Sequence, residues 1–196
     1  MTDVLGWRKV FGVLGPSTNT VVQPDFDDLR VPGVTNHYSR IIVRNPTALS
    51  NADFLRGTDA IDAATHDAVR AVMTCEPDYL VLGMSAVTFY GGADGSLKWT
   101  RAVEDVAGVS LCTGSASLIE AFTAYGGIKR IAVISPYFPV ANDQVKLFMA
   151  DYGIEVVRDR ALECQSWLHI AKVTPATLRQ AILELDGDDV DAIVQV

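Results

Sequence analysis

The residues with chemistry to offer fall in three short segments, each placed where an apolar run gives way to small, hydroxylated or amide side chains. They are Gly15-Pro16-Ser17-Thr18-Asn19-Thr20, Gly83-Met84-Ser85-Ala86-Val87-Thr88 and Thr113-Gly114-Ser115-Ala116-Ser117. Ser135-Pro136-Tyr137 adds a phenol from the second half of the chain. Hydroxyls, a primary amide and the free N–H groups of a helix start are hydrogen-bond donors without formal charge. Gathered in one notch, they hold a carboxylate and stabilise an oxyanion, with help from the helix dipole. A small carboxylate is the expected ligand. Taken singly, each segment reads equally well as turn and cap chemistry, because Ser, Thr and Asn serve those purposes wherever helices begin and chains reverse.

Other chemistries lack their residues. His37, His66 and His169 lie far apart and none stands at ligand spacing with a carboxylate or thiolate, so no metal centre is expected. There is no Gly-x-Ser-x-Gly elbow, no phosphate loop ending in Gly-Lys-Ser/Thr and no Gly-x-Gly-x-x-Gly after the first strand. No cofactor is expected. Gly91, Gly92 and Gly95 read as a flexible loop. Cys75, Cys112 and Cys164 are odd in number and widely spaced, which suggests free thiols in a reducing compartment. Cys112 ends a strand beside a helix start, a setting that can depress a thiol pKa, although packing is the plainer role.

Polar tips of this kind share a site when parallel strands carry them to the same sheet edge. Apolar runs predict strands at 10–14, 36–43, 79–82, 109–112, 130–135, 154–157 and 191–196, the one at 79–82 buried on both faces. Phe54, Thr58, Ile61, Thr65, Ala68 and Val72 form one stripe on a helix over 53–75, and further helices are expected at 96–107, from 113–117 to Gly126, from Ala141 through Tyr152, and from Thr174-Pro175 to Leu185. Ser117 and Glu120 have capping-box spacing, and Ala141, Val145, Phe148 and Tyr152 make a buried face. Residues 21–35 read as irregular, and 159–173 as a polar loop holding Cys164, Trp167 and His169. Alternating strands and helices define an α/β class. At 196 residues and 49% hydrophobic, the chain can bury a core as one large or two small domains. A net charge of −8 argues against nucleic acid and anionic membranes as partners. The amino terminus has no signal-peptide layout and no apolar run approaches the ~20 residues that span a bilayer, so a cytoplasmic protein is expected. The final strand has no loop or returning helix after it, which suggests a fragment of a longer native chain.

The segments together resemble the aspartate/glutamate racemase superfamily, in the branch of maleate cis-trans isomerase and arylmalonate decarboxylase. Gly12 to Thr20 is similar to the isomerase's first-strand motif, Ser85 to Gly92 to the decarboxylase's hydroxyl-rich loop, and Ser135-Pro136-Tyr137 with Asn142 to the segment that brings in a tyrosine. The resemblance implies an α/β fold of two pseudo-symmetric flavodoxin-like halves with parallel sheets and a ligand site between them: 1–114, completed by an absent carboxyl-terminal segment, and 115–196. It implies substrate contacts from Pro16, Ser17, Thr18, Asn19, Met84, Ala86 and Asn142, with Ser85, Thr88 and Tyr137 stabilising developing negative charge. Family members use one or two cysteines. Met84 stands at the first-half position, where a thioether can be neither nucleophile nor proton donor. The second-half cysteine would follow directly after Val196, where the sequence stops. The implied function is that of a cofactor-free lyase or isomerase acting on a small carboxylate or dicarboxylate through an enediolate-type intermediate, with Met84 tilting toward decarboxylation. The alternative is a non-catalytic carboxylate-binding or regulatory protein on the same scaffold. A homo-oligomer is left open.

Overall fold

The computed structural model describes residues 3–196. Among them, seven strands and six helices alternate: β1 (Lys9–Pro16), α1 (Val22–Asp28), β2 (Val34–Ile41), α2 (Asn51–Val72), β3 (Tyr79–Leu82), α3 (Gly92–Ala107), β4 (Leu111–Cys112), α4 (Gly114–Tyr125), β5 (Arg130–Ser135), α5 (Pro139–Asp151), β6 (Glu155–Ala161), α6 (Pro175–Leu185) and β7 (Ala192–Gln195). The strands form two sheets in the orders β2-β1-β3-β4 and β6-β5-β7, and every pairing is parallel. The first three strands of each sheet are thus arranged alike, with the second and third strands flanking the first. This is the flavodoxin-like doubly wound order, which opens a crevice beyond the carboxyl ends of the strands. No described helix is long and apolar enough to cross a membrane.

Helix α2 follows directly from its residues. Ser50 caps it by accepting from the Asp53 N–H at 3.1 Å, and the stripe from Phe54 to Val72 is buried throughout. That stripe packs with Leu14, Ile41, Leu80 and Leu82 into the core of the first sheet. A second core gathers Ile131, Val133, Val145 and Phe148, and it takes in Phe89 from the first half, edge-on to Phe148 at 5.2 Å. The two lobes therefore share side chains.

Several elements differ from the sequence reading. Residues 22–28 form a short helix in a stretch expected to be irregular; none of its side chains is buried, so it carries no periodic signal. Helix α3 starts at Gly92, four residues earlier than expected, and Gly95 lies inside it. Gly91 holds φ of 75°, and a Cβ on Gly95 would collide with the Tyr90 carbonyl, so these glycines answer to crowding and backbone angle within a fixed turn. Thr113, and not Ser117, caps α4, accepting from the Ala116 N–H at 3.3 Å. Tyr152 is 45% exposed and lies just past α5, its ring resting against Phe148. Strand β3 has Leu80 and Leu82 buried while Tyr79 and Val81 are only half-covered, so it is not buried on both faces as expected. Strand β6 runs on to Ala161, and beyond it Cys164 and Trp167 are buried despite their polar neighbours.

Candidate functional site

A cavity of about 430 Å3 lies where the strand ends of both sheets meet. Pro16, Thr18 and Asn19 enter from the tip of β1, Met84, Ser85 and Ala86 from the tip of β3, and Gly114 from the start of α4. From the second lobe come Pro136 and Tyr137 after β5, Trp167, Ile170 and Ala171 from the segment after β6, and Gln195 and Val196 at the end of β7. The remaining wall is apolar, with Val21, Val22, Ile61 and Leu82. Asn19, Ser85 and Tyr137 thus share one space.

Its centre is the contact between Ser85 Oγ and the Tyr137 hydroxyl, 2.6 Å apart and joining the two lobes. Ser85 immediately precedes a tight turn, Ala86–Phe89, which holds it at the cavity. Burial pushes the Tyr137 pKa up, and the hydrogen bond with the Ser85 hydroxyl only partly opposes it. Tyr137 therefore remains a neutral hydroxyl at ordinary pH, able to donate. The phenol, the serine hydroxyl and the start of α4 at Gly114 form a nest of neutral donors, the arrangement that stabilises an oxyanion when it develops. Among the residues that line the cavity, Tyr137 is the one titratable side chain. Walls of Val, Ile, Leu, Met and Trp keep the polarity low around it.

Three residues expected in the site face elsewhere. Ser17 Oγ accepts from the Val43 N–H at 2.9 Å and its own N–H reaches the Ile41 carbonyl at 2.8 Å, which ties the tips of β1 and β2 together. Thr88 is fully buried, and both its hydroxyl (2.7 Å) and its N–H (2.9 Å) donate to the Ser85 carbonyl, locking the turn that carries Ser85. Asn142 is also fully buried. Its Oδ1 accepts from Ser135 Oγ at 2.5 Å, its Nδ2 donates to Asp159 at 2.6 Å, and Ser135 Oγ in turn accepts the Tyr137 N–H at 3.2 Å. Lys146, 2.8 Å from Asp159, closes this network and has its own pKa raised chiefly by that contact. All three residues brace the donors from behind.

Trp167 was not singled out by sequence reasoning. It arrives through a backbone strap: its N–H donates to the Pro46 carbonyl at 2.8 Å, and the Ala48 N–H to the Gln165 carbonyl at 3.0 Å. The indole lies 4.9 Å from the Phe54 ring, which is 5.3 Å from that of Tyr137. Its one sequence signal was a large aromatic residue in an otherwise polar run. The cysteines stand apart from the cavity: Cys164 is buried with its thiol pKa pushed up by burial, Cys112 Sγ lies 3.0 Å from Ser117 Oγ, and Cys75 is exposed. No cluster of three or more His, Cys, Asp or Glu with metal-binding geometry occurs among the described residues.

Two parallel α/β sheets closing their strand ends on a cavity of neutral donors define the class of protein. Comparison with known proteins then fixes the family: the arylmalonate decarboxylase pattern matches residues 53–194, and the chain belongs to that family. A maleate isomerase of Pseudomonas putida is 25% identical over 192 residues, which cover 93% of this chain and 75% of the relative. Among solved structures, the maleate cis-trans isomerase of Nocardia farcinica bound to TRIS superposes with a TM-score of 0.81 at 20% identity, covering 95% of this chain and 76% of the other. A crystal structure of arylmalonate decarboxylase gives 0.71 at 21% identity over 95% and 75% of the two chains. At these identities the superpositions establish the fold.

Proposed function

We propose that the protein is a cofactor-free lyase or isomerase of small dicarboxylates that works through an enediolate-type intermediate, with decarboxylation of a substituted malonate as the favoured reaction. The observation that carries this reading is the Ser85–Tyr137 hydroxyl pair at 2.6 Å, set in a cavity lined by the strand ends of both sheets. Asn19 and the Thr18 hydroxyl hold the carboxylate that is retained, with one of its oxygens turned inward to Ser85 and Tyr137. The second carboxylate, set among apolar walls, is poorly solvated and leaves as CO2; the carbon–carbon bond breaks and its electron pair enters the retained carboxyl group as an enediolate. Oxygen charge then develops on that inward oxygen against the Ser85 and Tyr137 hydroxyls, which are already in place and need no reorganisation. A proton drawn from solvent adds to the α-carbon and completes the product.

Met84 favours decarboxylation over isomerisation. Rotation about the maleate double bond requires a group that adds to it and leaves again, and a thioether carries no proton to release and forms no neutral adduct. The test is a screen of methyl(phenyl)malonate, other disubstituted malonates and maleate in deuterated buffer, followed by NMR. The expected product is a monocarboxylic acid carrying deuterium at the α-carbon. Saturable binding without turnover of any of these compounds would instead identify a carboxylate-binding protein.

A further inference from the structure

Asn19 sits in a half-exposed loop, yet its side chain has a defined direction. Its Oδ1 accepts from the N–H groups of Val21 at 2.9 Å and Val22 at 3.0 Å, which commits the carbonyl end to the start of α1. The Nδ2 donor is left without a partner among the described residues, on a residue that lines the cavity. The backbone of Asn19 is held from outside the cavity by Arg40, near the end of β2. Arg40 Nη1 donates to the Asn19 carbonyl at 2.8 Å, and Nη2 donates to Gln23 Oε1 in α1 at 2.8 Å. One guanidinium thereby spans the loop and the helix that Asn19 joins.

The guanidinium is itself braced. It lies over the Tyr38 ring, 4.4 Å from the ring centre, and Tyr38 fits against β1 because Gly15 has no side chain: a Cβ there would strike the Tyr38 hydroxyl. No carboxylate pairs with Arg40 among the described residues, so its charge is spent on a peptide carbonyl and a side-chain amide. A planar fork reaching two acceptors at once is geometry that a lysine cannot reproduce.

We propose that Arg40 is a positioning residue: it fixes the loop that presents the Asn19 amide and so sets how tightly a substrate carboxylate is held. This rests on Asn19 being the carboxylate anchor, and the experiment separates the two claims. In the ligand-free protein, Arg40→Met accelerates amide hydrogen exchange at Val21 and Val22 roughly tenfold or more, the loss expected when a charge-assisted hydrogen bond goes, while Leu14 and Leu80 keep their protection. Unchanged exchange at Val21 and Val22 overturns the proposal. Malonate, titrated by calorimetry, binds roughly tenfold or more weakly to Arg40→Lys, to Arg40→Met and to Asn19→Ala, and the Arg40→Met/Asn19→Ala double variant binds no worse than Asn19→Ala alone. Restoration of affinity by lysine, or full additivity in the double variant, shows that Arg40 acts by charge alone and overturns positioning. If Asn19→Ala leaves malonate affinity intact, the anchor reading falls and the affinity claim for Arg40 falls with it, even where exchange shows that the loop is held.

Discussion

Replacing Tyr137 with Phe removes one oxygen from the centre of the site and leaves everything else in place. The ring is 7% exposed and packs 5.3 Å from Phe54, so its position survives the loss of the hydroxyl. What disappears is the 2.6 Å contact with Ser85. For folding this is one hydrogen bond in a confined space, about 1 kcal/mol, or a Tm lower by roughly 2–4 °C for a chain of this size. For the reaction it is one donor of an oxyanion nest, where comparable deletions lower kcat by about 10²–10³, or roughly 3–4 kcal/mol of transition-state stabilisation. The assay is steady-state decarboxylation of methyl(phenyl)malonate, with calorimetric binding of malonate beside it. The expected result is a large fall in kcat with a much smaller change in KM and malonate affinity, because the negative charge on the oxygen that meets the phenol grows as the carbon–carbon bond breaks. A kcat within threefold of the parent, in a folded variant, would refute the argument. The pH profile offers a second check. With its pKa raised by burial, the phenol stays protonated through neutral pH, so its contribution to kcat is level there and declines only above the ordinary phenol range near 10. The sign for stability follows: Tyr137 destabilises nothing below the unfolded value near 10, and stability falls as pH rises from there through the folded value, since only the unfolded chain releases that proton readily.

Asn142→Ala leaves the buried Ser135 hydroxyl without its acceptor and a half-buried Asp159 oxygen without its donor, so urea denaturation should show a loss of about 1–3 kcal/mol, and kcat should fall by less than in Tyr137→Phe because the phenol is displaced and not deleted. Trp167→Ala should lower stability by about 3–5 kcal/mol and shift preference among malonates toward bulkier substituents, measured by denaturation and by kcat/KM across a substrate series. Met84→Cys places a thiol in the cavity, and mass spectrometry after iodoacetamide treatment should find it alkylated, with protection by saturating malonate; labelling indifferent to malonate would remove position 84 from the ligand space.

Periodicity made much of the frame readable. The stripe on α2, the Thr174 cap with Pro175 behind it, and the run that ends at Met84-Ser85 are local patterns, and local patterns survive folding. Ser17, Thr88 and Asn142 show where such reading stops: a hydroxyl or amide has the same composition whether it meets a ligand or its own backbone, and only the fold sets its direction. Trp167 belongs to the same difficulty at longer range, since its place depends on residues 165–167 meeting 46–48, a pairing with no periodic signature. Helix α1 went unread because it buries nothing, and the glycines at 91–95 because close approach and looseness call for the same residue.

The turn from Ser85 to Phe89 has two ends that belong to different halves of the molecule: Ser85 offers its hydroxyl to the cavity, while Phe89, four residues on, is sunk in the second core against Phe148. Any hinge that swung one half away from the other would have to pull Phe89 free or drag Ser85 off Tyr137. A small molecule therefore reaches the cavity over its rim, without the Ser85–Tyr137 interior having to open.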